Sequence, residues 1–253
     1  MKILLSPAKS LQLQFPLDRK DKTTSPLFLK QTKTLVNILQ KKSASELQTL
    51  FSVSQNIAEL NFNRYQNFPL ELTEENSFPA LDCFDGAVYR PIQTNHFTEA
   101  DWNFAQKHLC ILSGLYGILR PLDLLFPYRL EMGTKLHNTA GKNLYEFWSN
   151  TVTQYLNQTA DCIINLASKE YFSVIDRQEL RIPMIHIHFK EKRGDDYKVV
   201  AIYAKKARGA FAHEIIKQKI STQTELKNIS VLGYQHQPTM SDETNLVFTR
   251  DTK

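Results

Sequence analysis

No run of 18 apolar residues occurs in this 253-residue sequence, so no segment reads as a membrane-spanning helix. The opening MKILLSPAKS turns polar after three apolar residues, too few for the core of a secretory signal. The chain therefore reads as cytoplasmic, without a membrane partner. Cysteine is scarce: Cys83, Cys110 and Cys162 lie far apart with neither CxxC nor Cys/His spacing, which argues against a disulfide framework and a zinc site. Internal repeats, low-complexity tracts and Gly/Ser linkers are also absent, and the ten prolines are scattered. Residues 1–253 thus read as a single compact domain, with 42% hydrophobic residues to fill its core. Neither a GxGxxG fingerprint nor a Walker loop is present.

What is there is uneven charge. The formal net charge is +5, yet residues 1–43 hold nine Lys or Arg against two acids, whereas residues 71–101 hold seven acids and one Arg. Such segregation attracts polyanions if the basic segments meet in space.

The pattern predicts alternating strands and helices. Met1 to Leu5, Leu109 to Leu112, Cys162 to Leu166, Ile182 to Phe189 and Tyr197 to Ala204 read as strands, the last two as an antiparallel hairpin about the turn Arg193-Gly-Asp-Asp196. Helices are predicted from Ser25 or Pro26, from the capping box Ser43-Ala-Ser-Glu46, from Ser54 to Tyr65, after Thr98, over Asn143 to Leu156 and from Arg208 to Ile220. Together they give an α/β mixed fold, a central mixed sheet with helices on both faces.

Four of these strands run into polar clusters: Ser6-Pro-Ala-Lys9, Ser113-Gly-Leu-Tyr-Gly117, Ala167-Ser-Lys-Glu-Tyr171 and Lys205-Lys-Ala-Arg-Gly209. Ligands of open α/β sheets bind beyond the carboxyl ends of strands. Lys9, Lys169, Lys205, Lys206 and Arg208 would make that crevice positive, and the expected ligand is an anion. Tyr203 is expected to anchor the last strand and Gly209 to admit a close backbone approach. Glu170, among these cations, is a candidate general acid or base, or a structural ion-pair partner. Lys9 and Glu170 are expected on one rim.

Other constellations are weaker. Ser6-x-x-Lys9 matches the SxxK nucleophile pattern, but its SDN and KTG companions are missing. His186 and His188 share a strand face without an acidic partner at matching spacing, which favours a structural role over a metal site. The segment LSGLYGILRPLDLLFPYRLEMG, residues 112–133, forces repeated turns with Gly114, Gly117, Pro121 and Pro127 while its leucines hold them to a core.

SPAKSL at 6–11, that segment at 112–133, YEFW at 145–148, INLASKEY at 164–171 and YAKKARG at 203–209 resemble the bacterial YaaA family, associated with resistance to peroxide stress. The resemblance runs through nearly the whole chain. It implies a cytoplasmic protein that keeps unincorporated iron low under hydrogen peroxide, binds DNA, and has an unusual mixed fold with a helix-hairpin-helix element. Residues 43–65 are the local candidate for that element, flanked by Lys41, Lys42 and Arg64 but lacking glycine at the joint; Ser113 to Gly117 is the alternative. Within the matched strings the candidate nucleic-acid or anion contacts are Ser6, Lys9, Ser113, Gly114, Gly117, Arg120, Arg129, Asn165, Ser168, Lys169, Lys205, Lys206, Arg208 and Gly209. No cofactor or metal is implied by the residues. Two function classes stay open, a DNA-binding protection protein and an enzyme acting on a nucleotide or nucleic acid in the same crevice. Direct iron sequestration has no convincing site in the sequence.

Overall fold

The computed structural model describes residues 1–13 and 22–251. Its frame is an eight-stranded mixed sheet. Five strands lie parallel: β1 (Lys2–Leu5), β5 (Leu109–Ser113), β8 (Ile163–Asn165), β9 (Met184–Arg193) and β12 (Asn245–Arg250), in the spatial order β12-β9-β8-β1-β5. Antiparallel strands close the edges: β6 (Gly117–Leu119) beside β5, β11 (Gln235–His236) beside β12, and β10 (Asp196–Lys198) on the end of β9. Two small antiparallel pairs lie outside the sheet, β2 (Ser10–Leu11) with β4 (Phe84–Asp85), and β3 (Phe78–Pro79) with β7 (Leu124–Leu125).

All four residues of β1 and all five of β5 are buried, as parallel strands covered on both faces require. β9 alternates instead: Ile185, Ile187 and Phe189 are buried and Met184, His186 and His188 half-exposed. The buried row meets helix α8 (Ala201–Gln218), where Phe189 packs edge-on to Phe211 with ring centroids 5.6 Å apart. The opposite row meets the single-turn helix α7 (Lys169–Phe172), where Phe172 lies 5.1 Å from His186. Helices thus cover both faces.

The remaining helices are α1 (Leu29–Gln40), α2 (Ala44–Phe51), α3 (Gln55–Gln66), α4 (Ala80–Cys83), α5 (Glu99–His108), α6 (Leu144–Thr159) and α9 (Gln223–Leu226). The predicted capping box of Ser43 with Glu46 is formed, and the helix predicted after Thr98 starts with a second box, Thr98 with Asp101. Each satisfies backbone N–H groups that a helix start leaves without partners. α1 begins three residues later than Pro26, because Ser25 to Phe28 runs outside the helix and Ser25 gives its carbonyl to Arg120. α2 and α3 are joined by a short connection that begins at Ser52, in the left-handed region at φ 51°.

One predicted strand is wrong. Tyr197 to Ala204 does not pair along its length; β10 stops at Lys198 and Ala201 onward is α8. The β-branched run Val199-Val-Ala-Ile202 suggested extension, but Val199, Ile202 and Tyr203 are exposed. The core instead takes Ala204, Ala207, Phe211, Ala212, Ile215 and Ile216, spaced for one helix face. YAKKARG is therefore helical, and Tyr203 anchors no strand: its ring lies 4.9 Å under the Arg250 guanidinium.

Candidate anion-binding crevice

From β1 the chain goes on to β5, toward one edge of the sheet, and from β8 it goes on to β9, toward the opposite edge. The carboxyl ends of β1 and β8 therefore face a topological switch point, where the two connections splay and leave a crevice. A cavity of about 330 Å3 opens there, lined by Ser6–Ser10, Asp85–Tyr89, Glu131, Ser168, Glu170, Tyr171, Ile202, Lys205 and Arg208.

Its floor is rigid. The Ser6 hydroxyl accepts a hydrogen bond from the Ser168 amide at 2.8 Å and donates to the Ser168 hydroxyl at 3.2 Å, tying the two strand ends together. Asn165 caps the same turn by accepting from the Ala167 amide at 3.0 Å. Tyr89 donates its hydroxyl to the Ser6 carbonyl at 2.8 Å. Burial raises the Tyr89 phenol well above its ordinary value, so it stays a protonated donor. The pairing of Ser10 with Asp85 draws residues 85–89 in as the opposite wall.

Charge around the cavity is partly paired. Asp85 takes two hydrogen bonds from Arg90, at 2.9 and 3.1 Å, which lower its carboxyl below the ordinary value. Lys9 lies 2.7 Å from Glu131, which also accepts from Arg129 at 2.9 Å. Glu170 accepts only the Gly133 amide, at 3.2 Å, among the described residues. Lys205 and Arg208, one helical turn apart on α8, make no ion pair among the described residues. Arg208 is half-buried, its Nε is shut from solvent without a hydrogen-bond partner, and burial pulls its guanidinium below the ordinary value. A cation so placed favours an arriving anion.

Comparison with known proteins places the chain, rather than the site, in a family. Residues 1–240 match the family model described as peroxide stress protein YaaA. The chain belongs to the YaaA peroxide stress protein family. A UPF0246 protein of Hahella chejuensis is 44% identical over 256 residues, covering 99% of this chain and 100% of its own length. The UPF0246 protein lpl1317 of Legionella pneumophila strain Lens is 45% identical over 256 residues, 99% of each chain. A third, from Delftia acidovorans, is 40% identical over 259 residues, 100% of this chain and 99% of its own.

The candidate residues of this YaaA-family chain divide in two. Ser6, Lys9, Ser168, Lys205, Arg208 and Glu170 converge on the crevice, so Lys9 and Glu170 do share a rim. Asn165 supports it from beneath. The others lie apart from the lining. Ser113 is buried, accepting from the Leu115 and Tyr116 amides and sharing a 2.6 Å hydrogen bond with the Tyr128 hydroxyl. Gly114 passes under the Leu130 carbonyl and Gly117 turns at φ 71°. Arg120 pairs with buried Asp123 at 2.7 Å, and Arg129 acts through Glu131. Lys169 and Lys206 are exposed outside the cavity lining. Gly209 does admit a close backbone approach, by the Val88 carbonyl rather than a ligand.

Sequence reasoning missed the Asp85–Tyr89 wall and Glu131. The only local hint was Phe-Asp-Gly-Ala-Val-Tyr, where glycine sits between an acid and an aromatic residue inside the acidic stretch. Ser6 is a clamp between strand ends, and Lys9, paired with Glu131, does not activate it as an SxxK pair would. His186 and His188 face amides, Asn165 at 2.9 Å and Asn245 at 3.1 Å. Among the described residues no group of three His, Cys, Asp or Glu side chains is placed to hold a metal ion.

The cysteines do not belong to the crevice lining. Burial raises all three thiols, Cys110 to about 11, and His108, two residues before Cys110, ends helix α5 with its Nδ1 on the Met1 carbonyl at 2.9 Å. Thiolate chemistry is disfavoured at such sites. A variant with Cys83, Cys110 and Cys162 all changed to Ala is expected to protect peroxide-stressed cells as the natural chain does, provided it folds to the same circular-dichroism spectrum. Survival at the level of the deletion strain would contradict this.

Proposed function

We propose that this chain acts in peroxide stress, in the cytoplasm, by gripping DNA phosphate in the switch-point crevice, and that the lowering of unincorporated iron follows from that action. The observation that carries the reading is Arg208, a half-buried guanidinium facing the cavity without an acidic partner among the described residues, one turn from exposed Lys205. Lys and Arg at phosphates position a protein on nucleic acid without reading sequence, so the preference among sequences is weak. In the same reading the α2–α3 pair, with exposed Lys41 at its approach, is a helix-hairpin-helix-like element that touches the nucleic-acid backbone at a second place.

The test is salt dependence. Replacing Lys205, Lys206 and Arg208 together by Ala is expected to weaken duplex binding for all sequences alike. The slope of log affinity against log salt should fall by about 0.9 for each phosphate that the variant no longer neutralises. Chelatable iron in stressed cells carrying this variant should remain high. An unchanged slope sinks the reading.

A second reading, an enzyme acting on the bound nucleotide, is favoured by Glu170, whose carboxylate lines the same cavity and accepts only one backbone amide among the described residues. A carboxylate free to take a proton at an anion site is what general base work needs.

A further inference from the structure

The balance of charge in the crevice is more specific than a general attraction for DNA. Three cations line it, Lys9, Lys205 and Arg208, and three acids, Asp85, Glu131 and Glu170. Two of the acids have partners from beyond the lining: Arg90 chelates Asp85 and Arg129 holds Glu131. Counting Arg90 and Arg129, five cations meet three acids, an excess of two positive charges, so the complementary ligand carries two negative charges. An internal phosphodiester carries one. A phosphate monoester carries between about 1.5 and 2 at neutral pH.

Resting on the reading above, we propose that the crevice is built for a phosphate monoester, such as terminates a DNA strand or a free nucleotide, and that Glu131 is the carboxylate such a ligand displaces from Lys9. The two legs of the Lys9–Glu131–Arg129 bridge are unequal. The Lys9 side chain is 64% exposed, the Glu131 side chain 25% and the Arg129 side chain 17%. An ion pair with one leg largely in water is worth little, whereas Arg129 is packed in place with its Nε fully buried. Lys9 can therefore swing to a phosphate while Glu131 keeps Arg129. Glu131 sets a threshold: a ligand must outcompete a carboxylate for Lys9, which a dianion does more readily than a monoanion. Lys205 and Arg208, spaced i and i+3 on α8, present neighbouring cations to the same phosphate, and Arg208 adds the planar fork suited to its oxygens.

Fluorescence anisotropy decides this with three probes at fixed salt: a 5′-phosphorylated single strand, the same strand with a 5′-hydroxyl, and a nucleoside monophosphate as competitor. The phosphorylated strand is expected to bind about tenfold more tightly than its hydroxyl counterpart, and Arg208→Ala should erase the difference. Glu131→Gln should tighten phosphorylated-strand binding by about three- to tenfold, and the double variant Lys9→Ala/Glu131→Gln should lose that gain. Competition by the monophosphate at matching concentration assigns the site to free nucleotides; competition only by the strand assigns it to DNA ends. Equal affinity for the two strands, with both still dependent on Arg208, overturns this inference and leaves the DNA reading standing. An unchanged affinity in Glu131→Gln overturns the role given to Glu131. Indifference of every probe to Arg208→Ala removes the DNA reading itself.

Discussion

Gly209→Ala is expected to destabilise the protein by about 3 kcal/mol, lowering its Tm by roughly 6–12 °C for a chain of this size. Alanine is ordinarily the better helix former, by about 1 kcal/mol, so propensity alone predicts the opposite sign. The clash decides it. A Cβ on Gly209 would overlap the Val88 carbonyl oxygen, which is backbone and cannot rotate away as a side chain would. Either α8 or residues 86–89 must move, and both carry walls of the crevice. Displacing Val88 pulls on Tyr89 and through it on the Ser6 carbonyl, so phosphate affinity should fall together with stability. Gly194→Ala is the control. Gly194 has φ 64° but nothing within 4 Å of an added Cβ, and its cost should be only the left-handed strain of about 1–2 kcal/mol. Thermal unfolding of the two variants side by side checks the ordering; a Gly209→Ala protein as stable as the natural chain would refute the close approach.

That glycine also shows what the sequence could disclose. YAKKARG announced cations beside a residue without a side chain, and the need for close backbone approach was readable. Which backbone approached was not, because Val88 is 121 positions away and only the folded sheet brings them together. Local signals were legible where local physics sets the structure. The Ser43 capping box and the Thr98 cap satisfy helix N–H groups within four residues, and the apolar runs of β1, β5 and β8 are buried on both faces. Where tertiary context outvotes propensity the reading failed. Val199 to Tyr203 looks extended, yet Ala204, Ala207 and Phe211 win a helix by fitting against β9. β12 went unforeseen although Leu246, Val247 and Phe248 are buried in it, because three apolar residues between polar neighbours carry no period long enough to distinguish strand from loop. The crevice was half legible for the same reason. Lys9, Ser168 and Glu170 follow apolar strands and could be placed by the switch-point rule, whereas Glu131 and Tyr89 come from irregular segments whose position depends on long-range pairing.

Glu170→Gln separates the binder from the enzyme. Lys9 and Glu170 line one cavity, so the first attracts an incoming phosphate and the second repels it. Lys9→Ala should therefore weaken DNA binding, and Glu170→Gln should preserve it or tighten it by up to about fivefold, the scale of a solvent-exposed charge interaction near 1 kcal/mol. The amide substitution is gentle on the fold: glutamine retains an oxygen to accept the Gly133 amide, and the Tyr145 hydroxyl bonds the backbone carbonyl of residue 170, which the change does not touch. Stability should be unaltered, so a cellular phenotype cannot be laid to unfolding. If holding phosphate is the whole task, Glu170→Gln cells survive peroxide as well as cells with the natural chain. If the carboxylate moves a proton on a bound nucleotide, glutamine can hydrogen-bond but cannot accept that proton, and protection falls to the level of the deletion strain while DNA affinity is kept. Survival assays on Glu170→Gln, paired with its measured DNA affinity, read this directly. On the DNA-gripping function proposed above, survival is the expected result, and loss of protection in a folded, DNA-competent Glu170→Gln variant would hand the crevice to catalysis.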